Sequence, residues 1–123
     1  MATHDDVRRI ASELPGAFEQ ASYGGRPSWR TKAKMFTWIR ELDEAPHEAL
    51  VVWVESLEEK DAMIQSEPGK FFTTAHYDGH AIVLVDLQQV DVDELSELLI
   101  ESWRHRATKT AVKKWDAEHP AHG

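Results

Sequence analysis

The chain has 123 residues, 41% hydrophobic and 29% charged, with a formal net charge of -8; that balance fits one soluble globular domain able to bury roughly two thirds of its unfolded surface, and excludes a disordered chain. Cysteine is absent, so a disulfide framework, a thiolate metal site and a cysteine nucleophile are all excluded. The opening "MATHDDVRRIASELPG" holds no basic leader followed by an apolar run, and no apolar stretch nears the about 18 residues of a membrane span, so a cytoplasmic protein with no membrane role is expected.

Thr3 and Asp6 form a helix-capping pair, and Val7, Ile10, Ala11 and Leu14 follow at helical spacing; a first helix over 4–14 is predicted, ended by Pro15-Gly16. From Ala17 the text changes to short runs rich in aromatic and β-branched residues: "AFEQAS", "SWRTKAKMFTWIRE" and "EALVVWVE", punctuated by "YGGRP" and "LDEAPH". These predict three antiparallel strands, the second bent near Lys32-Ala33. Ser56 with Glu59 is a capping box, and Leu57, Met63 and Ile64 supply the stripe of a short helix to Ser66, closed by Pro68-Gly69. "KFFTTAHY" and "HAIVLVDL" then read as a hairpin turned at Asp78-Gly79, with Ile82 to Val85 apolar on both faces and therefore central and covered. Asp91 and Glu94 make another capping box, and Val92, Leu95, Leu98, Leu99, Ser102 and Trp103 trace one face of a long helix. Nothing obliges that helix to break at Ala107-Thr108-Lys109, although the turns toward Trp115 can form a segment of their own. The prediction is a single α+β domain over 1–118 with a flexible tail at 119–123. Its architecture is a two-layer α/β sandwich of order α-β-β-β-α-β-β-α, with a largely antiparallel five-stranded sheet and helices on one side.

"DVRRIASELPG" running into "SYGGRPSWRTKAKMFTWIRE", then "FFTTAHYDG" and "ELLIESWRHRATK", resembles the MmcQ/YjbR family across residues 5 to 110. The motifs that carry the likeness are "LPG" after the first helix, "GRPSWR", Lys34 just ahead of the aromatic strand at Met35-Phe36, and Ser102-Trp103-Arg104 late in the last long helix. The resemblance implies a small two-layer fold shared with secretion-chaperone-like proteins, and a DNA-binding role resting on two projecting β-wings.

Charge is segregated along the chain. Positions 26–40 hold Arg26, Arg30, Lys32, Lys34 and Arg40, and positions 104–114 hold Arg104, Arg106, Lys109, Lys113 and Lys114, neither with an acid; the rest of the chain sets 22 acids against four bases. Such segregation permits a basic patch on an acidic protein. Strand period places Lys34, Phe36, Trp38 and Arg40 on one face and Met35, Thr37 and Ile39 on the other. The residues expected to bind nucleic acid are Arg26, Trp29, Arg30, Lys32, Lys34, Arg104, Arg106 and Lys109, with cations on phosphates and Trp29 or Trp38 stacked on a base. The competing account packs the aromatics in the core and leaves the lysines to guard an exposed strand. With a net charge of -8, any DNA binding is expected to be weak and steeply salt-dependent. The alternative partner is another protein, met by an acidic interaction or chaperone-like module that would show an apolar patch at Trp29, Trp38 or Trp115. Either a monomer or a homodimer fits, and a small-molecule site between sheet and helices is a third option.

Other chemistry finds little footing. A turn at Asp78-Gly79 would pair Tyr77 with His80 and His76 with Ala81, sending His76 and His80 to opposite faces, so no metal site is expected there. No Gly-x-Ser-x-Gly elbow or phosphate-binding glycine loop occurs, and the carboxylate runs Asp43-Glu44 and Glu58-Glu59-Asp61 read as solvated surface. A non-enzymatic protein without cofactor is expected. Trp53 and Trp103 lie on core-facing patterns.

Overall fold

The first helix, α1 (His4–Glu13), begins where Thr3 accepts the Asp6 N–H at 3.2 Å and Asp6 accepts the Thr3 N–H at 3.0 Å. That reciprocal bonding is the predicted box, and the Thr3 N–H holds the Asp6 carboxyl below its usual range. The structure, a computed structural model, describes residues 1–32 and 34–120, with only the backbone of Tyr23. After α1 come β1 (Phe18–Ala21), β2 (Pro27–Thr31), β3 (Lys34–Glu41), β4 (Glu48–Trp53), α2 (Leu57–Ser66), β5 (Phe71–Phe72), β6 (Ile82–Val85), α3 (Val92–Arg106) and α4 (Lys109–Glu118). The strands form one antiparallel sheet in the order β1-β2-β3-β4-β6-β5.

The α+β class and the helices on one side match the sequence reading; the strand count does not. The run over 28–41 folds back into the hairpin β2–β3, with Thr31 opposite Lys34, so the sheet has six strands. The sequence between Thr31 and Lys34 carries none of the Gly, Pro, Asn or Asp residues that announce a hairpin, which is why the run reads as one strand. A bulge follows: Trp29 faces Thr37 but Arg30 faces Met35, leaving Phe36 as the extra residue. The bulge breaks the period-two expectation, placing Phe36 in the helix-side core while Trp38 packs on the other face.

The two strands expected around Asp78-Gly79 do pair antiparallel, Phe71 with Val85 and Phe72 with Leu84, and Asp78-Gly79 does turn the chain, with the His80 N–H on the Tyr77 carbonyl at 3.1 Å. The tight two-residue hairpin is not formed, because the strands stop short of that turn. β5 ends at Phe72, and residues 73–81 cross to β6 through a short 3₁₀ turn at Ala75–Tyr77. Two interactions win over the hairpin. Tyr77 is 5% exposed in the apolar cluster beneath the crossing, and the Lys60 ammonium donates to the Tyr77 and His80 carbonyls at 2.8 and 3.0 Å. Lys60, on a helix whose apolar Leu57 is 47% exposed, is itself only 3% exposed. Burial pulls its pKa down, opposed by the charges of Asp78 and Asp61.

Two capping boxes form only in half. Ser56 accepts the Glu59 N–H at 3.0 Å and Asp91 the Glu94 N–H at 2.8 Å, but the Glu94 carboxylate turns to Lys70, 2.8 and 2.9 Å away. A break does come at Ala107, where α3 ends, because Thr108 accepts the Ala111 N–H at 3.1 Å and starts α4. At the far end the His119 ring stacks on Trp115 with centroids 3.7 Å apart. The remainder of the expected tail, 121–123, lies outside the described residues.

The sheet separates two apolar clusters. On the helix side Trp29, Phe36, Ile39, Leu50, Val52 and Val83 meet Val7 and Ile10 of α1 and Leu95, Leu99 and Trp103 of α3. On the other side Ala49, Val51, Ile82 and Leu84 are covered by Tyr77, with Trp38, Leu42, Trp53 and Phe72 at the margin. Ser102 ties α3 to the sheet, accepting the Trp53 N–H at 2.8 Å and donating to the Phe36 carbonyl.

Candidate nucleic-acid interface

The two basic segments meet at one point. Arg106, in the last turn of α3, donates from Nε to the Met35 carbonyl at 3.3 Å, and its guanidinium lies 4.3 Å from the centre of the Trp53 ring. Met35 is the neighbour of Lys34 at the start of β3, so the end of α3 abuts the tip of the β2–β3 hairpin. Burial lowers the pKa of Arg106, and the indole face supplies the electrostatic compensation.

The other residues expected to touch nucleic acid divide into four groups. Lys32, Lys34 and Lys109 are exposed, and among the described residues they have no carboxylate within ion-pair distance. Arg30 is half-buried, equally without an acidic partner, and its Nε is buried without a hydrogen bond. Arg26 and Arg104 are already engaged, Arg26 with Glu41 and Arg104 with Asp116. Trp29 must be withdrawn as a stacking residue, because it is 0% exposed in the helix-side core. That placement follows from its register: Trp29 opposes Thr37, which opposes Val52, all on the helix side.

Register also defines a surface that the basic runs alone do not reveal. Phe18 pairs with Arg30, Ser28 with Trp38, Arg40 with Ala49 and Trp53 with Ile82. Side chains alternate along a strand and match across it, so Phe18, Arg30, Trp38, Arg40, Trp53 and Phe72 share the face opposite the helices. Register places no acid on that face, although Glu41, Asp43 and Glu44 line its edge beside Arg40. Glu19 and Glu48 go instead to α1, bonded to Arg8 at 2.8 Å and to His4 at 2.7 Å. Arg40 lies 5.4 Å from the Tyr77 ring centre and donates to its hydroxyl at 3.3 Å. Trp38 borders a shallow hollow of about 270 Å³ with Arg26, Arg40 and Glu41. Phe18 went unnoticed in the sequence; its signal was one aromatic in the otherwise small and polar strand "FEQA", and it is 46% exposed.

Among the described residues no group of three or more His, Asp or Glu side chains could hold a metal ion. His76 stands edge-on to Tyr77 at 4.7 Å, while His80 contributes its carbonyl to Lys60. No described helix is long and apolar enough to cross a membrane.

Comparison with known proteins agrees with this architecture. The crystal structure of Deinococcus radiodurans protein DR2400, a DUF419 domain, superimposes with a TM-score of 0.74 at 22% identity, covering 100% of this chain and 97% of that one. The uncharacterized proteins Rv2570 of Mycobacterium tuberculosis and Mb2600 of Mycobacterium bovis are each 40% identical over 126 aligned positions, covering 92% of this chain and 95% of theirs. The sequence model of the YjbR family matches residues 12–105. With the hairpin, the crossing and nearly all of α3 inside that span, the chain belongs to the YjbR family.

Proposed function

We propose that this protein binds DNA weakly through its phosphate backbone, using the β2–β3 hairpin together with the adjoining end of α3. The observation that carries the reading is the hydrogen bond of Arg106 to the Met35 carbonyl, because it joins two basic segments that are 71 residues apart in sequence. Arg30, Lys32, Lys34 and Lys109 supply cations that no carboxylate neutralises among the described residues. Such a set suits sequence-independent phosphate binding, for which dissociation constants of about 10⁻⁴ to 10⁻⁶ M are typical at physiological salt. The chain's net charge of -8 pushes affinity to the weak end of that range. Catalysis is no part of the proposal.

Fluorescence anisotropy of labelled DNA at low and physiological salt tests it, comparing the native chain with an Arg30→Ala/Lys32→Ala/Lys34→Ala variant. Binding should fall with salt, and the variant should flatten the slope of log K against log salt by about one for each phosphate it no longer neutralises. No binding at low salt sinks the reading.

A further inference from the structure

The open face of the sheet gives the proposed DNA binder a more definite target. We infer that, granted the phosphate-binding reading, its occupant is single-stranded nucleic acid, with bases stacked on Phe18 and Trp38 and phosphates held by Arg30 and Arg40. Three observations converge on this.

The first is the chemistry of the face. Its strand positions carry arginines and aromatics on a chain of net charge -8, and the nearby carboxylates, Glu41, Asp43 and Glu44, lie at its edge beside Arg40. Charge and π-surface are interleaved there: Arg30 stands directly across from Phe18, and the next row along holds Trp38 beside Ser28. Cations that track a backbone beside rings that accept any base are the parts of a single-strand platform.

The second is what the fold leaves uncovered. Residues 73–81 lie over the β4–β6 half of the face and seal Val51 and Leu84 beneath Tyr77. Tyr77 also reaches Trp38 and Arg40 on β3, 6.3 and 5.4 Å away, but Phe18, on the outer strand β1, has no such cover among the described residues. Phe18 stays 46% exposed on a regular strand, although burying it would stabilise the chain. Arg30 keeps a buried Nε with no hydrogen-bond partner, beside no acid, and an anion that accepts from it would remove that penalty.

The third is shape. A duplex turns its bases inward and shows only their edges in its grooves, leaving no base face for an exposed ring to stack on without unstacking the helix. A single strand presents free base faces to lie on the rings. From Phe18 to Trp38 the step is two strands across and two residues along, about 12 Å by standard sheet spacings. The two rings therefore hold separate bases, with Arg30 between them.

Anisotropy titrations with a fluorescein-labelled 15-mer of thymidine, a mixed-sequence 15-mer and that 15-mer annealed to its complement decide the matter at matched low salt. Both single strands should bind on the order of tenfold more tightly than the duplex, the size one stacked base contributes. Phe18→Ala, at an exposed position, should weaken single strands by about fivefold or more and leave the duplex unchanged, and Trp38→Leu should do the same. Duplex binding as tight as single-strand binding, with Phe18→Ala silent, overturns the inference and leaves the phosphate reading standing. Absence of binding to all three at low salt overturns both.

Discussion

Trp29 and Trp38 lie on adjacent strands of one sheet, and their fates differ because they alternate to opposite faces. Trp29 is wholly sealed under α1 and α3, in an apolar cluster where its own Nε1 is left without a partner. Trp38 is half-buried, beside Arg40 and a tyrosine whose carbonyl a buried lysine holds. The helix side is what the chain needs to stay folded. The other side has been closed over only half its width, and the remainder is stocked with cations and rings. The contrast separates residues whose loss should unfold the protein from residues whose loss should alter only what it binds.

The sharpest way to break that contrast is on the helix side. Leu99 is 0% exposed, and Leu99→Ala should cost about 2–5 kcal/mol, read as a lower urea midpoint at unchanged slope. Phe18→Ala on the open face should stay within about 0.5 kcal/mol of the native chain. If the two variants unfold alike, the assignment of core and platform is wrong.

The crossing over the second face comes next in size. Lys60→Met removes the donor to two carbonyls, so a loss of about 1–3 kcal/mol is expected, with faster amide exchange confined to 73–81. Unchanged exchange there would show that Tyr77 holds the loop by packing alone. The same lysine sets a pH signature. Burial lowers its folded-state pKa below the usual 10.5, so in the window just beneath 10.5 the unfolded chain binds a proton that the folded chain does not. Stability attributable to Lys60 therefore rises with pH across that window. Native chain and Lys60→Met unfolded in parallel at stepwise alkaline pH should diverge in the native chain's favour; a gap that narrows would reverse the sign of the shift.

Most of the helical layer was legible from the sequence, because its signals are local. Thr3, Ser56 and Asp91 all cap the helices they announce, and Leu95, Leu99 and Trp103 fall on the buried stripe that their spacing describes. The sheet was less legible, since its decisive events are pairings between distant strands. Nothing in "TKAK" foretells a turn, and the bulge at Phe36 exists only against β2. Asp78-Gly79 does turn the chain and β5 does pair with β6, but the tertiary interactions of Lys60 and Tyr77 keep the flanking residues from extending as strands up to that turn. The candidate site shows the same limit. The cations of the hairpin could be counted in the sequence, but the open face emerges only when register puts Phe18, Arg30, Trp38 and Arg40 together.

The smallest stability effect carries the finest test of what that face is for. Arg26 is paired with Glu41, whose side chain is 70% exposed, and exposed pairs contribute about 0–1 kcal/mol. Glu41→Gln should therefore leave the unfolding midpoint nearly in place. Its effect on binding should be plainer: the substitution removes a negative charge from the rim of the hollow beside Trp38 and frees a guanidinium for phosphate. Single-strand affinity should rise severalfold at low salt, with a salt dependence steeper by about one phosphate, while Arg26→Ala in the same background should cancel the gain. A variant that binds no better than the native chain would place the nucleic-acid path away from Arg26 and confine it to Arg30, Arg40 and the hairpin tip.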